Sequence, residues 1–229
     1  MRAYWWRGKP NFGDAMTPLI LARLGLEAEW ASVWEADFVA CGSVLTHLPP
    51  GWAGTVWGTG KARKTDRLKL ANARILALRG KLTAANVPGR YALGDPGLLA
   101  SLVAEPSEEV ELGIVPHWED RHLVKAWKGE LIDVKADPET VIRQIARCKR
   151  IVSSSLHGII VADALGIERR WAWFAKVQGQ GFKFRDYASV VGAFEPNEWS
   201  RANERNVRTA QSALRRSLAR YRESLVRAA

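Results

Sequence analysis

The sequence predicts an α/β protein whose parallel strands are flanked by helices. Short apolar strands alternate with helical patterns along the chain, and the strands end in small or charged residues. A polar stretch, Ala104-Glu105-Pro106-Ser107-Glu108-Glu109, divides this alternation into two halves. The segments expected are residues 1–105, residues 110–195 and a helical tail over 196–229.

The elements follow in order. Tyr4-Trp5-Trp6 reads as a first strand, followed by a loop over Gly8–Asp14 and a helix from Ala15 to Leu24 with Pro18 near its first turn. Asp37–Cys41, Thr55–Trp57, Arg74–Leu78 and Arg90–Leu93 read as buried strands, each ending at a glycine-containing turn. In the second half, strands are expected over Glu111–His117, Leu131–Val134, Arg150–Ser153 and Glu168–Phe174. Asp137 is a good N-cap and Pro138 a good first residue for a helix burying Val141, Ile142, Ile145 and Cys148. A second helix opens after three serines, buries Leu156, Ile159, Ile160 and Leu165, and closes at Gly166.

Composition narrows the function classes. Of the 229 residues, 47% are hydrophobic and 25% charged, which excludes a disordered chain. Two cysteines, Cys41 and Cys148, make no disulfide framework and read as reduced thiols of a cytoplasmic protein. The start of the chain carries no signal-peptide pattern. The longest uncharged run, Phe38–Gly60, is broken by Pro49-Pro50 and by Gly42, Gly51, Gly54 and Gly58, so it is not expected to span a membrane. The net charge is +10, and residues 200–229 hold eight arginines against two glutamates. There Val207, Leu214, Leu218, Tyr221 and Leu225 recur at helical spacing. This basic amphipathic helix reads either as packed on the body with a solvated arginine face or as facing anionic lipid headgroups. No nucleic-acid module is visible. Scattered histidines and unpaired cysteines offer no metal site.

The chemistry concentrates in Arg150–Gly166. A strand runs through Ser153, Ser154 and Ser155 into a helix starting at Leu156, so serine hydroxyls and free backbone N–H groups can receive a phosphate or carboxylate. His157 lies in the first turn, where the positive end of the helix dipole favours neutral imidazole suited to proton transfer. Arg79 ends a strand and can grip an anion through two parallel hydrogen bonds. Gly58-Thr59-Gly60-Lys61 offers close backbone approach plus a charge, and His117 follows a strand end. Asp14 is a candidate general base and equally a candidate helix N-cap.

The motif order is Asn11-Phe12-Gly13-Asp14, Cys41-Gly42-Ser43, Gly58-Thr59-Gly60, Leu78-Arg79-Gly80, Gly94-Asp95-Pro96, Pro116-His117, Ser153–Gly158 and Phe182–Tyr187. It resembles the polysaccharide pyruvyl transferase family, especially the bacterial exopolysaccharide ketal-pyruvate transferases. The resemblance implies two Rossmann-like lobes, as in a compact GT-B-type glycosyltransferase, with the site between them. It implies phosphoenolpyruvate as donor, no further cofactor, and a saccharide acceptor with two free hydroxyls, often lipid-linked, at the cytoplasmic membrane face. Asn11, Gly13, Gly42, Ser43 and Lys183 join the anion-binding set through these motifs. Many members carry an arginine where this chain has Ser155. Lys61, Arg63, Lys183 or backbone N–H groups are the candidate replacements. In this scheme Arg79 and the Ser154/Ser155 helix start hold the donor, His157 is the acid that also orients phosphate, and Asp14 activates a hydroxyl. Two alternatives stay open: a nucleotide-sugar glycosyltransferase on the same fold, and a non-enzymatic module docking on membranes or polyanions through residues 200–229.

Overall fold

The computed structural model describes residues 1–174 and 178–227, so the last two residues of the expected tail lie outside it. Two sheets organise the chain. The first is six-stranded and parallel: β1 (Arg2–Tyr4), β2 (Glu29–Trp30), β3 (Phe38–Val39), β4 (Thr55–Trp57), β5 (Arg74–Leu78) and β6 (Ala92–Leu93), in the order β2-β1-β3-β4-β5-β6. The second contains β7 (Gly113–Val115), β8 (Glu130–Leu131), β9 (Arg150–Ser153), β10 (Glu168–Trp171) and β11 (Trp199–Ser200), in the order β11-β10-β9-β7-β8, with only β11 antiparallel. Helices α1 (Phe12–Arg23), α2 (Lys81–Ala84), α3 (Pro138–Ala146), α4 (Leu156–Ala164), α5 (Phe182–Val191) and α6 (Glu204–Val226) pack around them. The α/β class is as the sequence predicts.

Several boundaries differ from the sequence expectation, each for a local reason. The first strand is Arg2–Tyr4, because pairing of Ala3 with both Trp30 and Phe38 sets its register and leaves Trp5 and Trp6 beyond the sheet edge. Helix α1 starts three residues early because Asn11 is its N-cap, accepting from Gly13 N at 3.3 Å. Asp14 therefore sits inside the first turn, buried, and is not the cap. Strand β8 is shorter and earlier than Leu131–Val134. There the Val134 carbonyl accepts from Phe12 N at 2.8 Å, tying the first loop to the second half. Asp137 caps α3 through Thr140 N, as expected.

One hydrophobic core runs through both halves, joining Phe12, Met16 and Trp57 to Ile160, Trp171 and Leu214. Helix α6 belongs to it. Val207, Ala210, Leu214, Leu218 and Tyr221 are buried, and Trp57 Nε1 donates to Leu214 O at 3.3 Å. The expected buried position Leu225 is exposed, beyond the reach of the sheet. The arginines of α6 face solvent. No helix among the described residues is long and apolar enough to cross a membrane.

Candidate active site

A cleft of about 660 Å³ opens at the carboxyl ends of the parallel strands of both sheets. The first half lines it with Trp6, Asn11, Asp14, Gly42, Ser43, His47, Arg63 and Asp66, from segments following β1, β3 and β4. The second half lines it with His117, Trp118, Glu119, the α4 start Ser155-Leu156-His157, and Lys183 of α5.

His157 occupies its floor. A Cβ at Gly13 would fall 2.0 Å from His157 Nδ1, so glycine there admits the imidazole against α1. Phe12 meets the ring edge-on at 6.2 Å. Nε2 is sealed from solvent, 3.8 Å from Asp95 Oδ2, and neither atom has a hydrogen-bond partner. By elimination, Nδ1 is the ring nitrogen that can meet a ligand. Burial, then the charges of Arg79 and Lys183, push the His157 pKa down to about 3, so the free imidazole is neutral.

The carboxylates are shifted the other way. Burial raises Asp14 to about 7 against the lowering effects of Lys183 and of Asn11, whose Nδ2 donates to Oδ2 at 2.7 Å. A Cβ at Gly42 would strike Asp14 Oδ1 at 2.1 Å, so this glycine opens the space beside the carboxyl. Burial also raises Asp95 to about 7, although Gly97 N donates to its Oδ1 at 2.9 Å. Near neutral pH, Asp14 can both give and take a proton. Burial lowers Lys183, with help from Arg79, yet its ammonium has no hydrogen-bond or ion-pair partner among the described residues. His117 is pushed down to about 4 by burial and by Lys183.

Among the sequence candidates, Asn11, Asp14, Gly42, Ser43, His117, Ser155, Leu156, His157 and Lys183 meet at this cleft. Others sit beneath it. Arg79 is completely buried and does not reach a ligand position. Its Nε donates to Asp186 Oδ2 at 3.0 Å, Nη1 to Ser43 Oγ at 2.7 Å, and Nη2 to the Lys61 carbonyl. The fork expected to grip an anion is thus committed to Asp186, because Gly60 lets the guanidinium tuck under the loop. Gly58, Thr59 and Gly60 likewise face inward: Thr59 Oγ1 donates to Gly42 O, and the N–H groups of Gly58 and Gly60 go to Ala77 O and Gly42 O. Lys61 gives its ammonium to Lys64 O at 2.9 Å. Ser153 Oγ accepts from Ser155 N and Ser154 Oγ accepts from His117 N, so these hydroxyls brace the loop. Ser155 holds the N-cap position of α4 without a side-chain capping bond, leaving first-turn N–H groups and its own hydroxyl for a ligand.

The sequence reading gives no site role to Asp95, Trp6, Asp66 or Trp118. For Asp95 the signal was there, a motif aspartate before Pro96. The others come from loops whose convergence only the two sheets create. No group of three or more His, Cys, Asp or Glu side chains among the described residues could hold a metal ion.

A protein-family model, polysaccharide pyruvyl transferase, matches residues 48–170, just over half of the chain. The chain belongs to the polysaccharide pyruvyl transferase family. The matched span contains Asp95, His117, Ser155 and His157, while Asp14 and Lys183 lie outside it. Two relatives extend the comparison. One is an uncharacterised protein of Acanthamoeba polyphaga mimivirus, 39% identical over 114 residues, covering 44% of this chain and 40% of the relative. The other is the succinoglycan biosynthesis protein ExoV of Rhizobium meliloti (strain 1021), 30% identical over 212 residues, covering 84% of this chain and 65% of the relative. The chain therefore spans less than two thirds of either relative's length.

Proposed function

We propose that this protein transfers pyruvate from phosphoenolpyruvate to two hydroxyls of a saccharide, forming a cyclic ketal in an exopolysaccharide precursor. The observation that carries the proposal is the pairing of a carboxyl poised near pH 7, Asp14, with a neutral His157 and the free Lys183 ammonium in one cleft. Family membership supplies the reaction class.

Lys183 and the α4 N-terminus hold the donor's phosphate and carboxylate, in place of the arginine expected before His157. Asp14, in its protonated form, gives its proton to the methylene carbon, which becomes a methyl group and leaves the neighbouring carbon electron-poor. The first sugar hydroxyl bonds to that carbon, and its proton returns to the Asp14 carboxylate. The carbon–oxygen bond to phosphate then breaks, the second hydroxyl closes the ketal, and its proton leaves with phosphate. Neutral His157 hydrogen-bonds the phosphate through Nδ1 and gains proton affinity as that dianion binds. Arg79 acts from below by holding Ser43 Oγ, whose own proton is free for the substrate.

The acceptor is lipid-linked, and the exposed arginines of α6 give a peripheral contact with anionic lipid at the cytoplasmic membrane face. The test is calorimetry with phosphoenolpyruvate on the wild type, Lys183→Gln and His157→Ala, followed by phosphate release with sugar acceptors. Saturable binding weakened by Lys183→Gln, with turnover roughly 10²–10³-fold lower in His157→Ala, supports the reading. No binding with or without acceptor, but binding of nucleotide sugars, replaces it with a glycosyltransferase.

A further inference from the structure

The cleft divides by chemistry as well as by chain. His157, Ser155, Lys183 and Asp14 can handle anions and protons. Trp6, His47 and Asp66, all from the first half, offer a different set of contacts.

Trp6 follows β1 and is 43% exposed despite its large apolar ring. It is held in place rather than loose. A Cβ at Gly8 would fall 2.1 Å from Trp6 Cζ2, so only the bare glycine backbone can lie against the indole. The His47 ring sits 5.3 Å away, tilted by 51°, and is itself tethered through Nδ1 to Tyr4 OH at 2.9 Å. His47 Nε2 thus remains for a ligand. Asp66 Oδ2 accepts from Ala62 N at 3.0 Å and Arg63 N at 2.8 Å. Its Oδ1 has no partner among the described residues. By contrast, Trp118 carries the Lys9 ammonium 4.0 Å from its ring centre, and Trp34, 76% exposed, lies outside the cleft.

A pinned indole beside an imidazole, with a carboxylate in the same cleft wall, suits a molecule with one apolar face and a hydrogen-bonding rim. A pyranose is such a molecule: its ring C–H bonds carry slight positive charge and are attracted to the negative π face, while its hydroxyls project sideways. We infer that Trp6, His47 and Asp66 form the acceptor subsite, taking a neutral pyranose stacked on the indole with hydroxyls bonded to His47 and Asp66. The Asp66 carboxylate of the subsite disfavours a uronic acid there, opposed by the Arg63 guanidinium in the same wall. This inference rests on the pyruvyl-transfer reading for the acceptor's role, but binding of the sugar can be measured without donor.

The experiment is saturation-transfer NMR on the full chain with methyl pyranosides of glucose, galactose and mannose and with methyl glucuronide, without phosphoenolpyruvate. Wild type, Trp6→Ala, Trp6→Tyr and Trp34→Ala are compared, and phosphoenolpyruvate affinity is measured separately by calorimetry. The expected result is transfer to the C–H protons of one sugar face. Dissociation constants should rise about fivefold to tenfold in Trp6→Ala, recover largely in Trp6→Tyr, and stay unchanged in Trp34→Ala. Phosphoenolpyruvate affinity should be the same in all four proteins. Equal sugar affinity in Trp6→Ala, or a wild type that saturates none of the neutral pyranosides, overturns the subsite. Sugar binding that depends on Trp6 in a protein that does not bind phosphoenolpyruvate keeps the subsite and removes the proposed donor.

Discussion

His157 Nε2 faces Asp95 Oδ2 across 3.8 Å, and neither atom has another hydrogen-bond partner. The gap is too long for a direct hydrogen bond. Two buried, unsatisfied groups are costly unless a charge change brings them together. In the proposed reaction a dianion at Nδ1 supplies that change: it favours imidazolium, which the ionised Asp95 then stabilises.

Asp95→Asn tests this coupling, since an asparagine oxygen can still accept from Gly97 N. We expect kcat to fall about tenfold to a hundredfold, less than for His157→Ala, with donor KM moving little. Without the carboxylate, the imidazolium of the complex loses stabilisation, so its pKa falls and the corresponding limb of the kcat–pH profile moves to lower pH. A profile superimposable on the wild type would sink the coupling.

The buried Asp14 carboxyl makes stability depend on pH. Its carboxyl is raised from 3.8 to about 7 on folding, mainly by burial. The folded state therefore holds a proton that the unfolded chain releases, so the contribution is fully present below about pH 4 and is lost as pH rises through 7. Asp14→Asn should be more stable than wild type by an amount growing with pH, on the order of a few kcal/mol at pH 8. Its turnover should fall roughly 10²–10⁴-fold. Urea denaturation at pH 5 and pH 8, beside a turnover assay, checks both. Equal stability of the two proteins at pH 8 would contradict the raised carboxyl.

Arg79 and Asp186 form an ion pair with both side chains fully buried, at 2.9 Å. Asp186 also accepts from Thr83 N and Thr83 Oγ1, both at 2.7 Å. Removing the guanidinium leaves a buried carboxylate facing no cation. Arg79→Ala should cost about 3–5 kcal/mol of stability. Where Arg79→Lys remains folded, its donor affinity should stay within about threefold of wild type, because the guanidinium is spent on Asp186. A thermal melt followed by calorimetry distinguishes this from direct donor binding, which predicts the reverse pattern.

Helix α6 has a structural face and a solvated one. Leu214→Ala or Leu218→Ala should cost about 2–5 kcal/mol, since both are buried against the first sheet and its surroundings. Replacing Arg205, Arg215, Arg216 and Arg220 by Gln should leave stability nearly unchanged. It should abolish sedimentation with vesicles containing anionic lipid at low salt. Vesicle binding that survives the four replacements would remove the membrane contact from this face.

Local pattern made much of this protein legible. The strands at Thr55–Trp57, Arg74–Leu78 and Arg150–Ser153 and the Asp137-Pro138 helix start emerge from apolar runs and cap chemistry within a few residues. The ordered motifs carried the family and placed Asp14, His157 and Lys183 among the candidates. What no short window contains is which partner a charged side chain chooses. Arg79 looks like an anion grip at a strand end, and only the approach of α5, more than a hundred residues later, turns it towards Asp186. Trp6 and His47 look like ordinary aromatics, and only the convergence of two sheet edges makes them a cleft wall. The pKa values of Asp14, Asp95 and His157 are likewise set by burial, which depends on chain segments distant in sequence. Short-range hydrophobic periodicity determined the elements and their class; long-range packing, through desolvation and competition for hydrogen-bond partners, decided which residues face a substrate and in what charge state.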